Sequence, residues 1–342
     1  MALLFIDGFE ARDAPVKWTS AVSYYGGWGT GPQVGSITGR FGTGTALQIY
    51  NYAGQGMPYL KKMVTPSSKI IIGFGTSITG GGIDFLVLLG DGGFTSHLTM
   101  SFNGSGGIDV KRGGTIIAST AASIISLNVW YHFEVSATIS ATVGTVTLRL
   151  YGATVLTFTG NTKNGGTVDL VDAVMLQNPT GGPQFSFDDF YVCNDSGTTN
   201  NAFLGDVQVQ ALMPNATGAS TQFIPTGVAN NWDNVNDIPY SAADYNTSST
   251  VGDRDTYALA DLVTGTGTVF GVQNTIIALK SDAGAASIKA AMKSGGTVYY
   301  DANQNLGASL SSTVAMHETD PATSAAWTPT NVNALEFGAE AA

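Results

Sequence analysis

Two neighbouring carboxylates and the chain's single cysteine share one stretch, "FSFDDFYVCND" at 185–195. Adjacent acids suit general acid/base work or a hard cation such as Ca2+. The surrounding pattern reads as a β-strand, on which successive side chains point to opposite faces. Asp188 and Asp189 can therefore act as one dyad only if a bulge intervenes; otherwise they are ordinary hydrogen-bonding acids. No D-x-D-x-D-G loop is present, so no cofactor is expected, and Ca2+ held by one of the two aspartates is the alternative. Cys193 follows Val192 on an apolar strand and reads as a buried, inert residue.

The remaining chemistry is thin. Glycoside hydrolysis needs two carboxyls at a set separation. The chain has five Glu (Glu10, Glu134, Glu318, Glu336 and Glu340), none in an E-x-D-x-x-E strand pattern. His132 and Glu134 share a strand face and read as a surface pair. The three His lack the spacing of a zinc site. "GFGTSITGGG" at 73–82 is followed by no helical pattern, so it is no phosphate cradle. No enzyme is expected. The aromatics Tyr24, Tyr25 and Trp28 in "SYYGGWGTG", and Trp232 in "ANNWDNVND", are the candidate contacts for a sugar ring or a protein partner. The alternative is that they pack against their own domain.

Composition narrows the class. Of 342 residues 43% are hydrophobic and only 11% charged, against a usual charged share of about 25%. The 44 glycines are nearly twice the usual share of about 7%. Fourteen bases against 25 acids leave a net charge of −11, and no Lys/Arg run appears, which argues against nucleic acid as a partner. One cysteine excludes an intrachain disulfide. No apolar window is long enough for a membrane helix, and "MALLFIDGFEARD" reads as a first strand rather than a signal peptide.

These features describe an all-β protein. Short apolar or alternating runs recur between Gly-rich turns: 2–6, 45–50, 69–78, 83–90, 97–102, 108–112, 115–120, 130–139, 145–152, 154–160, 171–178 and 185–193. Strands at this spacing predict a sandwich. "TVTLRLYGATVLTFTG" predicts a hairpin turning at Gly152-Ala153. After a polar connector at 194–206, further strands are predicted at 207–214, 221–227, 255–262, 269–280, 286–300, 312–318 and 333–339. Two domains follow, 1–200 and 201–342.

"FIDGFE", "GTGTALQIYN", "WYHFEV" with "TVTLRLYG", and "FSFDDFYVCND" together resemble a concanavalin A-like (laminin G-like) jelly roll. That resemblance places the first strand beside the last, bringing Phe5 and Phe9 towards Phe187 and Tyr191. The run from "DDFYVCND" through "LGDVQVQALMP" to "NNWDNVND", and the closing "WTPTNVNALEFGAE", resemble virion structural proteins of tailed bacteriophages. The resemblance implies a smaller C-terminal β-sandwich for virion attachment or oligomerisation, and no catalytic or metal residues. It implies a surface-exposed fibre, tail accessory or capsid decoration protein, made in a bacterial cytoplasm and located on the virion. Its partners would be other virion proteins and its own copies. A lectin-like adhesin recognising host polysaccharide is the alternative.

Overall fold

The computed structural model describes residues 1–10, 25, 27–28, 34–42, 44–51, 57–179, 182–238, 240–263 and 265–342. The described residues form two compact units, the first running to Val209 and the second from Gln210 to Ala342. The polar stretch expected as a connector, 194–206, thus belongs with the first unit.

Among the described residues, the first unit has fifteen strands: β1 Leu3–Asp7, β2 Gly27–Trp28, β3 Val34–Thr38, β4 Thr45–Tyr50, β5 Tyr59–Ser67, β6 Lys69–Ile78, β7 Ile83–Gly90 and β8 Thr95–Phe102, then β9 Ile108–Arg112, β10 Thr115–Ser119, β11 Tyr131–Thr138, β12 Gly144–Leu150, β13 Ala153–Gly160, β14 Val171–Gln177 and β15 Gln184–Asn194. They make two antiparallel sheets. One runs β13-β12-β11-β6-β15-β4-β3, with β1 also paired to β15; the other runs β10-β9-β8-β7-β14-β5-β2. The all-β jelly-roll expectation holds. Every strand expected between 2 and 193 is present. Three strands, β2, β3 and β5, are additional; β5, "YLKKMVTPS", escaped sequence reading because two lysines and Pro66 break its apolar pattern.

Aromatic rings from both sheets meet in the core. Phe74 on β6 lies 6.2 Å from Phe85 on β7, and Phe85 lies 5.4 Å from Phe185 on β15. Each such ring withdrawn from water contributes roughly 1.5–3 kcal/mol. Strand β1 pairs with β15, setting Ile6 opposite Tyr191 and the Phe5 ring 6.0 Å from Phe190. The β12–β13 turn falls on Tyr151 (φ 48°) and Gly152 (φ 77°), one residue earlier than expected. Two left-handed residues in a two-residue loop match the twist of the flanking strands.

The second unit is also all-β. Its main sheet runs β16 (Pro214–Thr221), β19 (Arg254–Leu259), β25 (Glu336–Ala341), β21 (Ser287–Ser294), β22 (Thr297–Tyr300), with β23 (Gln304–Asn305) beside β21. Two ribbons complete it: β17 (Ile224–Thr226) with β18 (Tyr245–Thr247), and β20 (Val272–Ala278) with β24 (Ser311–His317). A short helix at Pro329–Asn333 helps bury Trp327, Met292, Val332 and Leu335. "ASIKAAMKSGGTVYY", expected as a strand, is two: β21 and β22 form a hairpin turning on Gly295-Gly296. The stretch 207–214 is not a strand; β16 starts only at Pro214.

One face of β6 carries Ile70, Ile72 and Phe74 into the core; the other carries Gly73 and Gly75. A Cβ at Gly73 would sit 1.9 Å from Tyr191 Cε1, whereas one at Gly104 would meet nothing within 4 Å. Gly73→Ala should therefore destabilise by about 2–3 kcal/mol through overpacking. Gly104→Ala should change stability by less than about 0.5 kcal/mol. Urea unfolding of the two variants beside the parent checks this; equal midpoints would refute the packing.

Candidate functional site

The glycine face of β6 is where the sequence's acids converge. Opposite Gly75 stand His132 on β11 and Asp188 on β15; opposite Gly73 stand Glu134 and Tyr191. The register between β15 and β6 slips between Asp188 and Tyr191, and Asp189 has φ 51°. A bulge does intervene. Asp is among the residues most tolerant of this left-handed conformation, and the extra residue bends the strand locally. The expectation that the two carboxylates lie on opposite faces is therefore corrected: both meet Arg40.

Arg40 lies in the loop between β3 and β4. Its backbone N–H donates to Asp188 Oδ2 at 2.7 Å and its Nε to Asp189 Oδ2 at 2.9 Å. Its two terminal nitrogens donate to Asp206 Oδ1 at 2.5 Å and to the Val207 carbonyl at 2.7 Å. A Cβ at Gly75 would lie 2.7 Å from Arg40 Cδ, so the missing side chain makes room for the guanidinium. Asp189 Oδ1 in turn accepts the Val209 N–H at 2.8 Å.

Glu134 and Tyr191 continue the same system. Tyr191 donates to Glu134 Oε1 at 2.6 Å and accepts from the Leu204 N–H, while the Gly205 N–H donates to Glu134 Oε1 at 2.8 Å. Arg149, opposite Glu134 on β12, stacks its guanidinium 4.2 Å from the Phe203 ring centroid. Residues 203–209 are thus strapped over the glycine face by side chains from three strands and a loop. His132 and Glu134 are fully buried here, which corrects their reading as a surface pair. Strand alternation shows which face they share but not what covers that face.

Burial and like charge set the protonation. Burial first, and Asp189 second, push the Asp188 carboxyl up to about 7. Burial also raises Asp189, against which the Val209 N–H and Arg40 both act. Burial lowers His132 to about 4, since it disfavours imidazolium. Burial alone would lower Arg40, but Asp189 and Asp206 outweigh it and hold the guanidinium charged. The arrangement is an ion-paired strap whose acids face backbone N–H groups and a guanidinium.

Of the candidate contact aromatics, Tyr24 lies outside the described residues. Tyr25 is buried and its hydroxyl donates to Asp7 Oδ2 at 2.5 Å, so it packs within its unit rather than standing exposed. Trp28 belongs to the two-residue strand β2, beside Leu60 of β5. Trp232 is half-buried on a 3-10 turn, Asn231–Asn234. That turn presents two asparagines three apart on one side. Asn231 donates to Asp255 Oδ2 and to the Phe223 carbonyl, while Asn234 bridges Val228 and Asn246. Buried Asp255, which also accepts the Gln222 and Phe223 N–H groups, is the hub that sequence reading missed. Among the described residues, no cluster of His, Cys, Asp or Glu is arranged to hold a metal ion.

No family model and no curated protein matches the chain. Solved structures are similar over part of it. A protein of unknown function with a galectin-like fold from Bacillus subtilis is 13% identical over 56% of this chain and 96% of that one, with a TM-score of 0.39. The conserved carbohydrate esterase of Shiga toxin-encoding bacteriophage phi24B is 15% identical over 49% of this chain and 89% of that one, at 0.36. A sialidase is 11% identical over 56% of this chain at 0.42, and the match spans 18% of that protein's length.

Removing the cation should release the strap. Arg40→Gln leaves Asp189 buried without its partner, which costs about 3–5 kcal/mol. Limited proteolysis with mass analysis should then find new cuts within 195–209; an unchanged cleavage map would refute the strap. The pH response follows from linkage. Asp188, raised from 3.8 to about 7, stabilises below its unfolded value, and that stability is lost as pH rises through about 7. His132, lowered from 6.5 to about 4, stabilises above 6.5, and that stability is lost as pH falls through about 4. The two slopes oppose between those limits. Asp188→Asn should unmask His132, so that stability in urea melts climbs more steeply from pH 4 to 6.5 than in the parent. Parallel curves would sink the assignment.

Proposed function

We propose that this protein is a non-enzymatic structural component displayed on the surface of a tailed-phage virion, as a fibre, tail accessory or capsid decoration protein. The observation that supports it best is the use of Asp188 and Asp189. The carboxylates best placed for chemistry in the sequence hold Arg40 and backbone N–H groups of their own chain, under a strap rather than in a groove. The charge-poor, Gly-rich composition and the sequence resemblance to virion proteins point the same way. Attachment would be multivalent: many weak contacts among copies and with neighbouring virion proteins sum to firm binding.

A second reading, a lectin-like adhesin for host polysaccharide, draws on one observation. Tyr151 stands 52% exposed on the first unit, with its ring centroid 5.9 Å from that of Tyr131. Aromatic rings with a polar tip suit the stacking and hydrogen bonding that sugar recognition uses.

Antibody raised against the full chain should decorate intact particles in immunogold microscopy, and the purified chain should release no reducing ends from host polysaccharide. Unlabelled particles would overturn the virion assignment, and steady release of reducing ends would overturn the non-enzymatic one.

A further inference from the structure

At one end of the first unit, the loops 79–82, 103–107 and 121–127 enclose an open groove of about 340 Å³. This is at the small end of ligand sites, which span roughly 300–1,000 Å³. Its polar wall is Ser105, Ser123 and Ser126; its apolar wall is Phe102, Ile125 and Leu127; glycines fill the rest, and among the described residues no charged side chain lines it. The walls are tied together by backbone. Ser123 N–H donates to the Ser105 carbonyl at 2.9 Å and Ile125 N–H to the Gly106 carbonyl at 3.0 Å. A groove held open this way needs little ordering on binding.

Ser126 joins this groove to half-buried Tyr131 and, through it, to exposed Tyr151. Its backbone N–H donates to the Tyr131 hydroxyl at 2.9 Å, and Tyr131 pairs with Tyr151. The Tyr151 hydroxyl donates to the Trp130 carbonyl at 2.5 Å. Leu127, which lines the groove, is 46% exposed, and Val129 and Tyr151 are 44% and 52% exposed. Ser123 and Asn128 also hold positive φ angles of 58° and 60°. Such backbone is uncommon for residues other than glycine and concentrates at functional sites.

We infer that this groove binds a neutral saccharide of one or two rings, with Tyr131, bonded to the Ser126 N–H on the groove wall, and the neighbouring Tyr151 ring extending the contact. Serine hydroxyls pair with sugar hydroxyls, and the tyrosine faces stack on the apolar face of a ring. The absence of lining cations, in a chain of net charge −11, selects against uronate, sialic acid or sulfated sugars, which need positive partners. This inference rests on the adhesin reading and names its site and ligand class.

Two variants test it without unfolding the unit. Gly104→Leu fills the groove from a position where an added Cβ meets nothing within 4 Å. Tyr151→Asn removes the ring while placing Asn-Gly in the turn, the dipeptide that such a hairpin favours. The full chain would be applied to immobilised neutral oligosaccharides of glucose, galactose and N-acetylhexosamine, beside polygalacturonate and heparin. Binding is expected to neutral sugars only, weakened tenfold or more by each variant, with thermal melts of both variants at or above the parent's. Neutral-sugar binding that survives both variants overturns this site while leaving an adhesin in place. A blank neutral panel, or retention only on polygalacturonate or heparin, overturns the ligand class. Adsorption of the labelled chain to host cells, measured in parallel, judges the adhesin reading separately.

Discussion

The Arg40 guanidinium is the constraint on which the strapped face depends. It is a permanent charge with only 5% of its side chain exposed, and a buried cation is tolerated only with full pairing. Asp189 and Asp206 supply the pairing, and Val207 supplies a carbonyl. Each requirement then fixes something larger. Asp189 reaches Arg40 only through the bulge in β15, Arg40 fits only over Gly75, and Asp206 lies close only if 203–209 crosses the sheet. The double glycine of "IIIGFGTSI" is therefore a packing requirement of the strap rather than a flexible loop or a phosphate cradle.

A shared device runs through both units. Buried or half-buried acids accept backbone N–H groups and so lock loops whose amides would otherwise be unmet. Asp172 holds the Gly92 and Gly93 amides, Asp255 holds those of Gln222 and Phe223, Asp188 holds those of Arg40 and Asp189, and Asp7 holds that of Phe9. In a protein with few charges and many turns, aspartate serves as a loop fastener. This gives part of the acidic balance a structural origin, distinct from solubility or partner steering.

Much of the fold was legible in the sequence because it rests on period-two patterning. The alternation of "YHFEVSAT" shows its strand locally, the near-unbroken apolar run "IDFLVLLG" shows another, and Gly-rich turns separate such runs. β5 was illegible because Lys61, Lys62 and Pro66 interrupt its pattern while Leu60 alone is deeply buried. The site was less legible. Alternation put Asp188 and Asp189 on opposite faces, and only the left-handed Asp189, invisible in composition, reunites them. His132 and Glu134 looked exposed because a strand's own sequence does not record a segment some seventy residues later that covers it. The Asn231–Asn234 spacing was the one available signal for Asp255, and the tryptophan between those asparagines drew attention from it.

The strap also has a mechanical consequence. β15 is hydrogen-bonded to β6, β4 and β1, and the chain leaves this unit through 203–209, fastened at Glu134, Arg40 and Asp189. Tension applied at Val209 is taken up first by these side-chain bonds, before the backbone ladder of β15 is loaded. Peeling the strap lengthens the chain by several residues while the sandwich stays closed. A protein anchored through one end can absorb a sudden pull in this way and re-form the fastening when the pull ends.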